Sequence, residues 1–146
     1  MMVDAEDLTI RKAVHVEVPV ERAFDGFTAG WHDWWPMKTH SLANGEGTID
    51  WRVGGTAAEI VDGKRLEWAD IVEFDPPNGF TMRWRVSADK PATELRLRFV
   101  AEGTGTRVEL VHAGWETYPD GGGAESAGYA SGWDDVLGHY TAHFEA

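Results

Sequence analysis

Leu8, Ile10, Val14, Val16 and Val18 occupy alternate positions, and Lys12 is the one polar residue in that register. Alternation with a period of two predicts a strand with one buried face. In "PVERAFDGFTA" the period changes: Val20, Ala23, Phe24 and Phe27 recur at helical spacing, Pro19 suits a first turn, and Glu21 sits where the helix dipole favours an acid. A short amphipathic helix is predicted there. Gly30 ends it, and "WHDWWPM" (31–37) forms a second short helix or loop that Pro36 stops.

From Gly47 to Ala113 the chain offers "TIDWRV", "TAAEIV", "RLEWADIVEF", "FTMRWRV", "TELRLRFVA" and "TRVELVHA", separated by turn signals. Runs of this kind predict an antiparallel meander of about six strands. Asp62-Gly63 and Glu102-Gly103-Thr104-Gly105 are its clearest hairpin turns. Tyr129, Trp133, Val136, Leu137, Tyr140 and Phe144 then return to helical spacing and define a terminal helix with a wide aromatic stripe. Between strands and helix, "YPDGGGAESAG" (118–128) reads as a loop. The sheet is the one surface large enough to cover the stripe, so the predicted architecture is α+β, in the order β-α-α-β6-α, with a curved antiparallel sheet wrapped around the last helix. Residues 1–146 are expected to form one domain.

Phased by their aliphatic residues, Phe80, Met82, Trp84 and Val86 face inward, beside Leu95, Leu97 and Phe99 and then Val108, Leu110 and His112. By the same rule Leu66, Trp68, Asp70, Val72 and Phe74 share the inner face one strand earlier. Two polar side chains, Asp70 and His112, are thereby predicted to enter an apolar concavity. A buried carboxylate without a partner costs roughly several kcal/mol, so each requires an explanation. Either they hydrogen-bond a ligand or serve as a general base toward an enolisable carbonyl, or they lie near strand ends and reach solvent or a backbone partner. Trp68, Trp84, Tyr129 and Trp133 point into the same space and either fill it or leave a slot between flat faces, so that any cavity is modest.

Composition narrows the partners. With 13 Lys and Arg against 25 Asp and Glu, the net charge of −12 repels nucleic acids and anionic membranes, so neither is expected as a partner. The absence of Cys removes thiolate nucleophiles and zinc-thiolate sites and fits a reducing compartment, with the cytoplasm as the expected location. "MMVDAEDLTI" has no apolar run, which predicts neither a signal peptide nor a membrane span. His139 and His143 are four apart on the last helix but lack an acidic companion in a metalloenzyme pattern, so no metal or other cofactor is expected. Arg83, Arg85, Arg96, Arg98 and Arg107 fall on the outward face of three strands among Glu94 and Glu109. Cross-strand ion pairs account for them, or else a docking face for an acidic protein.

Taken in order, "VPVERAFDGFT…WW", "DPPNGFTMRW", "GTGTRVELVHAGW" and "SGWDDVLGHY" resemble the bacterial relatives of the activator of the heat-shock protein 90 ATPase, within the START-like helix-grip superfamily also called SRPBCC. The resemblance runs from about residue 8 to 142, with the glycine-rich "PDGGGAESAG" as its departure. It implies a cavity for a hydrophobic ligand between sheet and long helix, and for some members a cyclase or related activity. The expected reading is therefore a binding module for a small apolar or aromatic molecule. Trp68, Asp70, Met82, Trp84, Leu110, His112, Tyr129 and Trp133 are the expected ligand contacts. Catalysis through His112 or Asp70 and contact with a chaperone are the alternatives. The resemblance also sets Trp31, Trp34 and Trp35 at the cavity rim, and the chain is expected as a monomer or homodimer.

Overall fold

A computed structural model describes residues 8–35, 46–84, 92–115, 118 and 123–145, apart from the side chains of His32, Glu46, Ala124 and Glu125. Strand β1 (Ile10–Val16) leads into α1 (Val20–Phe27) and a single 3-10 turn (Trp31–Asp33). Six strands follow: β2 (Glu46–Ile49), β3 (Thr56–Val61), β4 (Lys64–Asp75), β5 (Gly79–Trp84), β6 (Thr93–Glu102) and β7 (Gly105–Ala113). Helix α2 (Gly123–Glu145) closes the chain. The strands form one antiparallel sheet in the order β1-β7-β6-β5-β4-β3-β2. The predicted helix-grip order is thus present, with the second short helix reduced to the 3-10 turn.

Local chemistry explains the joints. Asp62 and Gly63 both adopt positive φ (51° and 76°), as a two-residue turn matching the sheet twist requires, and Val61 pairs directly with Lys64 across it. Pro19 is the N-cap residue of α1, where its missing N–H costs nothing. Lys12, the polar interruption of β1, reaches across to Asp134 on α2 at 3.0 Å. Near the start of α2 the Ser126 hydroxyl donates to the Leu8 carbonyl at 2.6 Å, tethering the helix to the segment that enters β1. The loop expected over 118–128 is shorter than its composition indicates, because Gly123 to Gly128 already belong to α2; residues 119–122 lie outside the described part.

The core lies between the concave face of the sheet and one side of α2, with α1 packed at one end. Trp133, Val136, Leu137 and Tyr140 are buried, while Asp134, Asp135 and His139 are exposed. Facing them, Phe80, Met82, Leu95, Leu97, Phe99, Val108 and Leu110 are each at most 3% exposed, in the predicted phase.

Strand β4 departs from that phase. Its register shifts against β3 between Ala57 and Ala58 and against β5 between Ile71 and Glu73. Each irregularity inserts a residue and reverses which positions face inward. Trp68 and Ala69 are consequently buried in succession, Ile71 joins the core, and Val72 is 47% exposed; Leu66, ahead of both shifts, is 40% exposed. Asp70 is therefore not in the concavity: it lies half-buried between inward-facing Ala69 and Ile71, in register with exposed Arg83.

On the outer face, Arg96 pairs with Glu94 at 3.2 Å and Arg107 with Glu109 at 3.1 Å, in both cases two residues along the same strand. The expected cross-strand pairing is represented there by Arg107 and Glu102 at 4.0 Å. Arg85 lies outside the described residues.

Candidate functional site

A cavity of about 30 Å³ lies between the concave sheet and α2. Trp68 of β4 and Met82 and Trp84 of β5 form its floor with Leu95 of β6 and Ala57 of β3, and Trp133 covers it from the helix. Ile49, Trp51 and Phe80 close one end, and Phe27, Trp31 and Trp35 close another. Among the described residues, eight of the twelve that line it are aromatic, and none of the twelve carries an ionisable group. An apolar cavity that admits benzene measures about 150 Å³, so at about 30 Å³ this one is nearly filled by its own rings.

The rings meet edge to face or tilted. Trp35 lies 6.2 Å from Trp68 and 6.1 Å from Trp133, Trp84 lies 5.6 Å from Trp133, and Trp51 lies 5.0 Å from Phe80. These are the separations at which aromatic quadrupoles attract, leaving flat faces toward the gap. Trp35 and Trp51 are only half-buried, whereas Trp68 is 4% exposed.

Polar groups in the wall divide into two kinds. The Trp84 indole N–H donates to the Tyr129 hydroxyl at 3.1 Å, and the Trp133 N–H donates to His112 Nδ1 at 3.0 Å. The N–H groups of Trp51 and Trp68 are buried and have no hydrogen-bond partner among the described residues. A buried donor left unpaired costs about 1–3 kcal/mol.

His112 stands beside this cavity and is completely buried. Because Nδ1 accepts from Trp133, the proton sits on Nε2, which donates to Thr93 Oγ1 at 2.7 Å. The Thr93 hydroxyl faces the Trp84 carbonyl at 3.4 Å, and the Trp115 N–H donates to the backbone carbonyl of His112 at 3.1 Å. Burial pushes the imidazole down to about 3, so it is neutral at ordinary pH. Such a histidine is a fixed strut between β7, β6 and α2. With both nitrogens engaged, it offers no free lone pair for proton abstraction.

Of the expected ligand contacts, Trp68, Met82, Trp84 and Trp133 line the cavity, as do Trp31 and Trp35 of the expected rim. Leu110, His112 and Tyr129 are not in its wall; Leu110 is core, and the other two form a polar layer behind Trp84 and Trp133. Trp34 turns away: its N–H donates to the Gly26 carbonyl at 2.8 Å and its ring packs on Phe27 and Tyr140. Asp70, on the other face, is not in the wall.

Trp51, Trp115 and Glu59 were missed. Trp51 stands two positions beyond Ile49, a period-two signal carried past the end of β2, where no strand marks it. Trp115 follows β7 and supports His112. Glu59 is completely buried on β3, two positions from Ala57 of the cavity wall, and its charge disguised it as a surface residue.

With this geometry in view, comparison with known proteins decides the family. The description "Activator of Hsp90 ATPase homolog 1-like protein" matches residues 14–145. The chain belongs to this family. Among solved structures, CalU16 from Micromonospora echinospora shares 27% identity at a TM-score of 0.66, with 91% of this chain and 71% of that one covered. The anthrahydroquino-gamma-pyrone synthase Txn09, complexed with SUM, shares 35% identity at a TM-score of 0.51, covering 82% and 84%. The Aha1 dimer from Colwellia psychrerythraea, 16% identical at a TM-score of 0.67 with 94% and 96% covered, shares the fold. Among curated proteins none matches the chain. Like other members of the family, it sets a long helix across a curved antiparallel sheet, and no described helix is long and apolar enough to cross a membrane.

Proposed function

We propose that this chain holds a small, flat, uncharged molecule between the concave face of its sheet and α2. The observation that carries this reading is the cavity wall, which among the described residues is predominantly aromatic and without an ionisable group. Flat rings at tilted and edge-on angles favour a planar guest, and a charged guest would lose its hydration there without a counter-charge. An apolar cavity of about 150 Å³ admits benzene, so the closed cavity of about 30 Å³ has to widen on binding. Trp35 is the ring that moves: it is half-buried and follows a single 3-10 turn, whereas Trp68 and Trp84 are held within strands.

The test is native mass spectrometry of the protein isolated from its own cells. A retained neutral mass is expected in the wild type, and it should be lost in Ala57→Leu, which extends a side chain into the gap. A bare 16.2 kDa chain in both would count against the reading.

A catalytic reading draws on the 35% identity to the synthase Txn09. It requires a proton-transfer group other than His112, and Glu59 is the buried carboxylate two positions from the wall. Under that reading Glu59→Gln abolishes turnover, and under the binding reading it leaves ligand retention intact. Contact with an acidic partner, a chaperone among them, would use the outer face, where Arg11, Arg96, Arg98 and Arg107 border a groove of about 410 Å³.

A further inference from the structure

Where β1 hands over to α1, four polar side chains close a small network. His15 directs Nδ1 to Glu102 Oε1 at 2.7 Å and Nε2 to Glu17 Oε1, and the Thr104 hydroxyl donates to the other oxygen of Glu17 at 2.8 Å. Glu102 ends β6 and Thr104 lies in the turn to β7, so the network joins that turn to a junction 87 residues earlier in the chain. The backbone is shaped for the contact. At Gly105 a Cβ would collide with the Val16 carbonyl oxygen and lie 2.8 Å from His15 Nε2, so glycine is what lets the imidazole lie against the turn. Beneath the network the buried Thr106 hydroxyl donates to the Val18 carbonyl at 2.8 Å.

We propose that this network is a proton-operated clasp: protonated His15 holds the β6–β7 turn on the junction between β1 and α1, and deprotonation releases the turn. Both ring nitrogens face carboxylates, and an imidazole donates from both only as the cation. The neutral ring keeps one N–H and turns a lone pair toward the other carboxylate. One bond is then replaced by repulsion, and the two glutamates lose the positive charge that stood between them. From β7 the ring also meets Arg107, its partner in register, whose guanidinium is drawn off by Glu109 at 3.1 Å and Glu102 at 4.0 Å. Bonds to Glu17 and Glu102 raise the imidazole above its ordinary 6.5, so the clasp is shut in mild acid and opens as pH climbs through the raised value. The bond from Thr106 to Val18 involves no titrating group and serves as the hinge. What the clasp secures is the entry to α1, whose Phe24 and Phe27 pack on Phe99 and Phe80 of the sheet. It lies apart from the cavity and does not rest on the binding reading.

The test is NMR of the full chain across a pH range from about 5 to about 9, following the His15 ring directly and the amide order parameters of Gly103, Thr104 and Gly105. In the wild type the ring should titrate above 6.5, and the three turn residues should fall from a rigid value of about 0.85 toward about 0.6 with the same midpoint. Thr106, at the hinge, should stay rigid throughout. Glu102→Gln should lower the ring's midpoint and leave the turn mobile even in mild acid. His15→Gln carries no titrating ring, and its turn should show no dependence on pH over the same range. His15 and Glu102 have side chains 37% and 46% exposed, so both variants keep the core intact. A ring that titrates while the turn stays equally ordered would make His15 an ordinary surface ion pair and overturn the proposal. A midpoint no higher in the wild type than in Glu102→Gln would overturn it as well.

Discussion

At the scale of single residues, His112 shows how burial converts a chemically active group into a structural one. Its ring accepts from Trp133 and donates to Thr93, and its burial pushes it down to about 3. Because that value lies below the 6.5 of an unfolded chain, the unfolded state takes up a proton that the folded state refuses. The stabilising effect is complete above 6.5 and drains away as pH falls toward 3. Between pH 7 and pH 5 the loss from this one group is about 2 kcal/mol. Urea unfolding of the wild type and His112→Gln at both pH values isolates it. The variant is expected to be less stable at pH 7, and the gap should narrow by about that amount at pH 5. Parallel pH dependences would show that His112 is not the group responsible. Subtracting the variant matters because His15, raised by its bonds to Glu17 and Glu102, acts in the opposite sense: its stabilising effect is present at low pH and fades as pH rises. Glu17, lowered by Thr104 and His15, adds stability that is lost in acid.

At the scale of elements, the aromatic stripe of α2 and the strand faces of β5, β6 and β7 were legible because period alone sets which side chains meet the core. Trp133, Val136, Leu137 and Tyr140 fall at helical spacing and are buried, and the alternation through Leu95, Leu97 and Phe99 survives intact. Strand β4 was misread for the converse reason. Nothing in "RLEWADIVEF" marks where an extra residue enters, and two register shifts move Asp70 out of the concavity while Ala69 and Ile71 move in. The glycines of 123–128 concealed the first turns of α2, which are tethered through Ser126 and Leu8 across 118 residues of chain. If the stripe is what holds the helix to the sheet, Trp133→Ala removes a 4%-exposed ring and its bond to His112 together, and should destabilise the fold by about 3–5 kcal/mol. Chemical denaturation measures this directly. Retention of wild-type stability would mean that the helix is anchored elsewhere.

At the scale of the whole molecule, the sheet curves around α2 and traps between them a gap that neither surface would have alone. Sequence reading placed Trp68, Met82, Trp84 and Trp133 on the two facing surfaces, and all four line the gap. It missed Trp51, since β2 ends at Ile49 and the contact depends on how the chain runs between strands. It also could not separate Trp34 from Trp31 and Trp35, because a helix of one turn has no face long enough for period to define. What emerges is an acidic protein with a ring-lined gap between sheet and helix, whose described wall residues carry no ionisable group and which is closed in this state to about 30 Å³.

The claim that a flat apolar guest enters between sheet and α2 is tested most directly by following the indole N–H resonances of the eight tryptophans while naphthalene is added. The largest shifts are expected at Trp35, Trp68, Trp84 and Trp133, with Trp115 unmoved behind the His112 layer. Stationary cavity indoles, with changes confined to Trp115, would contradict it.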